Sequence, residues 1–210
     1  MKGMLKDAAI LLVITLISGL VLGFVYDITK EPIKAQELSK EQAAYKEVFA
    51  DAGEFETVYD SALGDEGQTI NEQALAGAVA STEADAQISK VVAAKDAAGQ
   101  VLGYVLVVTD HEGYGGDITF AMGIDNAALL KGVSILSISE TAGLGMRAGE
   151  VLVPQMPGKD LSQDVTYTKS GDAQGNEVDA ISGATITTNA FVNGINAGRA
   201  VFMQLLAAGN

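Results

Sequence analysis

The sequence predicts an α+β fold in which an antiparallel sheet packs with helices, preceded by one transmembrane helix and a helical stalk. Three observations predict it. Residues 8–26 form one uncharged apolar block, residues 88–140 contain four β-like runs, and residues 191–205 repeat apolar positions at helical spacing. The length of 210 residues fits one medium-sized domain with an appendage.

The apolar block, Ala8–Tyr26, contains 19 residues without a charge. A helix of this length crosses the hydrocarbon core of a bilayer. The residues that follow, DITKEPIK, contain no small-residue cleavage site, so the block is interpreted as an uncleaved anchor rather than a signal peptide.

The charges flanking the block leave its orientation nearly balanced, because Lys2 and Lys6 precede it while Lys30 and Lys34 follow it. The formal net charge of −14 becomes −15 when only the residues after 26 are counted. Anionic cytoplasmic headgroups and nucleic acid both repel so acidic a domain. We therefore expect a single-pass protein of the cell membrane with its domain on the extracytoplasmic side and no nucleic-acid partner.

After the anchor, residues 28–53 are predicted to form a helix, with Pro32 in its first turn and Gly53 at its end. Its apolar face is loose among many charges, which favours a solvated stalk over a partner-binding helix. Residues 60–85 are acidic and rich in small side chains, and we expect a surface loop with a short helix there. The predicted domains are an anchor (1–27), a stalk helix (28–53) and a folded domain (54–210).

The strands of the folded domain are predicted from runs of β-branched and apolar residues between glycine- and asparagine-containing turns. Their meander order indicates an antiparallel sheet. The four runs are Ile88–Lys95, Val101–Thr109, Asp117–Asp125 and Lys131–Glu140.

Two helices are predicted after the sheet. The segment EVLVPQM resembles a short helix, and the C-terminal segment places five residues on one face, which should pack across the sheet. These residues are Phe191, Ile195, Gly198, Phe202 and Leu205, whereas Asn193, Asn196 and Arg199 fall on other faces.

The residue types present exclude several kinds of chemistry. Without cysteine the chain has no disulfide, no reactive thiolate and no cysteine-ligated metal or iron–sulfur cluster, so any redox group must be acquired. Serine-hydrolase chemistry needs a base beside the nucleophile. The single histidine, His111, lies in a predicted loop, and Ser182 lacks the G-x-S-x-G pattern of a nucleophile elbow.

The stretch DAISGATITTN, residues 179–189, leads into the C-terminal helix. Thr187, Thr188 and Asn189 are good N-cap residues, so we expect the helix to begin there. Ser182 to Thr185 would then form a tight loop before a helix N-terminus, which favours a phosphate. An ordinary capped helix start with a glycine turn explains the same residues, and the residues alone leave both interpretations open.

Three segments resemble the FMN-binding domain family. DAISGAT (179–185) resembles its flavinylation motif, Asp-x-x-Ser/Thr-Gly-Ala-Thr. ETAGLG (140–145) resembles Glu-Thr-Pro-Gly-Leu-Gly with Ala142 in place of proline, and GYGGDI (113–118) resembles Gly-Tyr-Gly-Gly-Pro-Ile with Asp117 in place of proline. With its anchor and stalk, the whole chain resembles the G subunits of Rnf-type electron-transport complexes, which are related to the C subunits of sodium-translocating NADH:quinone oxidoreductases.

The resemblance implies that residues 54–210 form an FMN-binding domain with FMN joined to the Thr185 hydroxyl by a phosphoester. A separate flavin transferase would move FMN from FAD with magnesium, and Asp179 would be its recognition residue, because a carboxylate beside a phosphate is repulsive. Arg147 would pair with the flavin or lie on the surface, and no metal site is expected. The other residues expected to contact the cofactor are Tyr114, Gly115, Glu140, Thr141, Gly143, Leu144, Gly145, Ser182, Gly183, Ala184, Thr187 and Thr188.

The function implied by the resemblance is electron transfer within a membrane ferredoxin:NAD⁺ oxidoreductase coupled to ion translocation. The partners would be the other membrane and peripheral subunits, since the chain has no dinucleotide-binding fingerprint and is not catalytic alone. A membrane-anchored flavin-bearing sensor and a flavin-free structural adaptor are the alternatives.

Overall fold

The computed structural model describes residues 2–64 and 68–206, so part of the predicted loop at 60–85 lies outside the described residues. Residue contacts divide the chain into two compact units, Met1–Glu41 and Gln42–Asn210. The predicted division into anchor, stalk and domain stays a prediction.

Helix α1 runs without interruption over Lys2–Val48. By length and composition it is the one helix among the described residues that is able to cross a membrane. Pro32 lies inside α1 and does not open a second helix as predicted. A proline removes one backbone hydrogen bond, and the good helix formers around it, mainly Lys, Glu, Gln and Ala, continue the helix.

The second unit is built on a five-stranded antiparallel sheet with strand order β1-β2-β3-β4-β5. This sheet and its helices confirm the predicted α+β fold, and the four predicted runs correspond to β2–β5. The strands are β1 (Glu54–Asp60), β2 (Ala86–Lys95), β3 (Val101–Asp110), β4 (Ile118–Asp125) and β5 (Leu130–Ile138).

Shorter elements surround this sheet. A parallel pair of three-residue strands, β6 and β7, lies between α3 and α4 in the chain and was not predicted. The remaining elements are α2 (Glu72–Val79), α3 (Ala148–Val151), β6 (Thr166–Thr168), β7 (Glu177–Asp179) and α4 (Thr185–Val201).

Helix α4 packs across one face of the sheet through the predicted apolar residues Phe191 and Ile195, and the predicted Phe202, which directly follows the helix, is buried as well. The rings of Phe120 in β4 and Phe191 in α4 lie 4.9 Å apart. Gly194 allows this approach, because a Cβ atom at that position would lie 2.9 Å from the Phe120 ring. The position of α4 is therefore fixed by a close helix–sheet contact.

The opposite face of the sheet holds the last residues of α1 and the residue that follows. Val48 and Phe49 are buried against three glycines on neighbouring strands: Gly103 (β3), Gly123 (β4) and Gly132 (β5). A Cβ atom on Gly123 would lie 2.8 Å from the Val48 carbonyl oxygen. Helix α1 ends at this contact, at Val48 and not at the predicted Gly53.

One carboxyl group is buried within the sheet–helix core. Asp110 ends β3 with no exposed surface, and its Oδ2 has no hydrogen-bond partner among the described residues. Burial raises the pKa of Asp110 to about 7; the hydrogen bond from the Glu112 N–H opposes the rise, and the Glu112 and Asp85 carboxylates add to it. The folded protein therefore holds this proton more tightly than the unfolded chain does.

We expect Gly123→Ala to lower the free energy of unfolding by about 1–3 kcal/mol, because the added methyl group must displace the Val48 backbone. Gly132→Ala is the matched control on the next strand, since its Cβ atom would make an ordinary 3.5 Å contact with Val48. The control should change the free energy by less than about 1 kcal/mol. Differential scanning calorimetry of the full chain in detergent measures both variants. Equal losses would contradict the close contact between Gly123 and the Val48 backbone.

A second prediction concerns pH. Because the folded pKa of Asp110 lies near 7 and the ordinary value is 3.8, its stabilising contribution is complete below about pH 4 and is lost as pH rises through 7. Asp110→Asn removes this loss. The variant should gain stability relative to the unmodified protein as pH rises from about 4 to 7, by up to about 4 kcal/mol, and the difference should stay constant above pH 7. Unfolding measured across this range checks it, and a difference that does not change with pH would refute it.

Candidate functional site

A cleft of about 480 Å³ opens where three segments meet: the β3–β4 loop, the loop after β5 and the start of α4. Its size is typical of sites for small molecules and cofactors. The lining residues are Tyr114, Glu140, Thr141, Leu144, Gly145, Gly183, Ala184, Thr185, Ile186 and Thr187.

The structure brings together nine of the residues predicted to hold a cofactor, all of those lining the cleft except Ile186. Four predicted residues do not line it: Gly115, Gly143, Ser182 and Thr188. Ile186 was missed. It directly follows Thr185 and is 52% exposed, and its position next to the motif was the one signal that the sequence offered.

The cleft wall beside α4 begins with a tight turn. The Ala184 N–H donates a hydrogen bond to the Ile181 carbonyl over 3.0 Å. Gly183 occupies the third position of this turn with φ of 79°, a conformation that glycine adopts without the strain of a side chain. The turn delivers Thr185 to the cleft as a half-buried residue.

Helix α4 begins at Thr185 with Ala184 as its N-cap, so the prediction that Thr187, Thr188 and Asn189 begin the helix is wrong. The Thr188 hydroxyl donates to the Ala184 carbonyl over 2.9 Å and accepts from the Ile181 N–H over 3.1 Å. This bonding to the carbonyl four residues earlier places Thr188 inside the helix. Its hydroxyl supports the turn instead of facing a cofactor.

The loop after β5 contacts the first turn of α4 through Gly145. A Cβ atom at this position would lie 2.5 Å from the Thr187 hydroxyl oxygen and 2.8 Å from Glu140 Cβ. Gly143, two residues earlier, has φ of 76° and forms the bend of the loop. Only glycine at 145 therefore lets the loop and the helix form opposite walls of one cleft.

The β3–β4 loop completes the cleft. Gly115 is packed so closely under it that a Cβ atom would overlap the carbonyl oxygen of Ser139. Tyr114 stands at the rim with 69% of its surface exposed. Gly115 thus supports the cleft from outside, while its neighbour supplies an aromatic face.

Two charged or titratable residues of the surrounding loops, His111 and Arg147, have partners outside the cleft lining. His111 Nδ1 lies 2.9 Å from Asp117 Oδ1, and this hydrogen bond raises the pKa of His111. Arg147 forms an exposed ion pair with Glu150 at 3.9 Å and does not line the cleft. Over residues 2–64 and 68–206, no group of three or more His, Asp or Glu side chains is placed to hold a metal ion.

Asp179 also lies outside the cleft. It ends β7, and its Oδ1 accepts a hydrogen bond from the Ala173 N–H over 3.1 Å. Its backbone N–H and carbonyl both bond to the Gln155 side chain, over 2.8 and 3.1 Å. These contacts fix the strand that precedes the Ile181–Ala184 turn.

Two parts of the chain match known protein families. Residues 113–199, which include all three segments of the cleft, match the FMN-binding domain. Residues 1–48 match the RnfG N-terminal region. The sequence match to the FMN-binding domain therefore includes the residues that form the cleft.

Two relatives of similar length align with nearly the whole chain. The chain is 26% identical over 205 residues to the G subunit of the Na(+)-translocating ferredoxin:NAD(+) oxidoreductase complex of Acetobacterium woodii, covering 97% of this chain and 94% of the relative. It is 29% identical over 196 residues to the G subunit of the ion-translocating oxidoreductase complex of Methanosarcina acetivorans, covering 93% and 92%. The chain is thus similar to these G subunits over nearly its whole length. The crystal structure of Shewanella oneidensis NqrC aligns with 54% of this chain and 57% of that one at a TM-score of 0.45 and 20% identity.

The two buried threonines of the first turn give a matched test of how the cleft wall is held. Thr188→Val keeps the side-chain shape but leaves the Ile181 N–H without its acceptor, so we expect a loss of about 1–3 kcal/mol. The Thr187 hydroxyl makes no hydrogen bond to another described residue, and Thr187→Val should cost less than about 1 kcal/mol. Thermal unfolding compares them; a Thr187→Val loss as large as that of Thr188→Val would show that the hydrogen bonds are not what holds the turn.

Proposed function

We propose that this chain carries FMN as a phosphoester on Thr185 and transfers electrons within a membrane-bound ferredoxin:NAD⁺ oxidoreductase complex coupled to ion translocation. The observation that carries the proposal is the convergence of three separate segments on one cleft that contains Thr185. The match of residues 113–199 to the FMN-binding domain supports flavin as the ligand.

The phosphate end of FMN fits the start of α4. The first N–H groups of a helix have no intrahelical acceptor, and the helix dipole favours negative charge there. The first turn contains no acidic residue. An ester on Thr185 would place its remaining negative charge beside these N–H groups, with the exposed Ser182 and the Thr187 hydroxyl as further donors.

The ring end fits the apolar part of the cleft lining. Tyr114, Leu144 and Ile186 supply apolar surface, and the glycines of both loops leave the backbone open to a planar group. FMN supplies the redox chemistry by accepting and releasing one or two electrons, and the protein contributes binding, orientation and electrostatics. Tyr114 and Leu144 would orient the ring, while Gly183 and Ala184 leave room for the chain that joins it to Thr185.

The partners follow from the relatives. The Acetobacterium woodii relative is named as a subunit of a Na(+)-translocating ferredoxin:NAD(+) oxidoreductase complex and aligns over nearly the whole chain. We infer that this chain works with the other membrane and peripheral subunits of such a complex. A flavin transferase would attach the FMN with magnesium and recognise the segment at Asp179.

The orientation proposed from charge places the domain on the extracytoplasmic side, because the residues after 26 carry a net charge of −15. Covalent attachment suits that location, since a flavin that dissociates outside the cell is lost. Fusing a reporter enzyme to the C-terminus and assaying it on each side of the membrane would test this orientation.

Thr185 and Thr187 offer a direct test of attachment. In cells that also express a flavin transferase, the unmodified chain and Thr187→Val should remain fluorescent in denaturing gels, whereas Thr185→Val should lose all fluorescence because the ester oxygen is gone. Thr185→Ser keeps a hydroxyl and tests whether the transferase accepts serine. Fluorescence that persists in Thr185→Val would overturn the attachment site.

The same variant separates electron transfer from sensing. A complex assembled with Thr185→Val should lose electron transfer from ferredoxin to NAD⁺, because the variant chain holds no flavin. A complex that keeps the full rate would favour a flavin-bearing sensor or a structural adaptor.

A further inference from the structure

Among the described residues that line the cleft, Glu140 alone has a charged side chain, and its charge is negative. Its Oε1 is buried and has no hydrogen-bond partner among the described residues. An unpaired, partly buried carboxylate costs folding free energy. The stability of the fold therefore does not explain its presence.

Glycines from two loops surround Glu140: Gly113 and Gly145 face its side chain, and Gly115 lies against its backbone. A Cβ atom on Gly113 would lie 3.0 Å from Oε1, one on Gly145 would lie 2.8 Å from Oε2, and one on Gly115 would lie 3.3 Å from the Glu140 Cα. The carboxylate occupies space that any larger residue at Gly113 or Gly145 would fill. Its position beside the cleft is thus imposed by the backbone.

No basic side chain neutralises this charge. In the part of the chain that the structure describes, Glu140 forms no ion pair, and Arg147, the basic residue of the same loop, pairs with Glu150 instead. Charge interactions are stronger beside a partly buried group than in water, because the surrounding protein screens them less. A cofactor in the cleft would experience the negative field of Glu140 without a compensating cation.

We infer that Glu140 lowers the midpoint potential of the flavin bound in this cleft. The inference rests on the proposed function. Reduction adds electrons to the ring, and a nearby fixed negative charge disfavours that addition more than it disfavours the oxidised state. Glu140 acts through its charge: it forms no bond to the ring and exchanges no electron with it.

The test is a spectroscopic redox titration, at fixed pH and ionic strength, of full-length protein purified in detergent whose intact mass shows bound flavin. Glu140→Gln keeps the shape and removes the charge, and it should increase the equilibrium constant for two-electron reduction about tenfold or more, a rise of about 30 mV or more. Glu140→Asp, which keeps the charge, should stay closer to the unmodified protein than Glu140→Gln does.

Glu150→Gln is the matched control, because it removes the same charge from the same segment outside the cleft. It should change the equilibrium constant less than about threefold, which is below 15 mV. The inference is overturned if Glu140→Gln with flavin attached stays within threefold of the unmodified protein, or if both variants shift equally.

Failure of the inference is distinguishable from failure of the proposed function. Unmodified protein without flavin would refute the proposed function, whereas loaded Glu140→Gln with an unchanged potential refutes only the role of Glu140. If Glu140→Gln is not loaded, Glu140→Ala must show the same rise. If neither neutral variant is loaded, Glu140 is needed for attachment and its proposed role in setting the potential is overturned.

Discussion

The contact between Gly145 and the first turn of α4 is the constraint on which the cleft depends. With any side chain at residue 145, the loop after β5 would collide with Thr187 and Glu140. Helix α4 lies close to this loop because it also packs closely on the sheet, where the absence of a side chain at Gly194 leaves room for the Phe120 ring. Packing in the core therefore sets the width of a cleft at the end of the sheet.

The sequence predicts most of this core because its periodic signals are strong. Strands β2–β5 are rich in β-branched residues, and Phe191, Ile195 and Phe202 repeat at helical spacing. Strand β1 was not predicted because its acidic residues, Glu54 and Glu56 among them, are unfavourable in strands. In the structure, pairing with β2 overrides that preference. Tertiary contacts decide such elements, and a single sequence does not display them.

The site is predicted less completely than the fold. Its three segments are identified by resemblance, yet which of their residues line the cleft depends on the helix start. Thr187 and Thr188 are residue types suited to an N-cap. In the structure the helix begins at Thr185, and the Thr188 hydroxyl donates a hydrogen bond to the Ala184 carbonyl within the first turn. The unpaired charge of Glu140 is likewise visible only in three dimensions, because glycines from two distant loops surround it.

Sequencing the flavin-bearing peptide by tandem mass spectrometry tests the central claim most directly, because four hydroxyl residues lie between 182 and 188: Ser182, Thr185, Thr187 and Thr188. Protein made together with a flavin transferase should carry the full mass of an FMN ester on Thr185 and none on the other three. An ester on any of those three, or a peptide without added mass, would contradict the proposal that Thr185 is the attachment point.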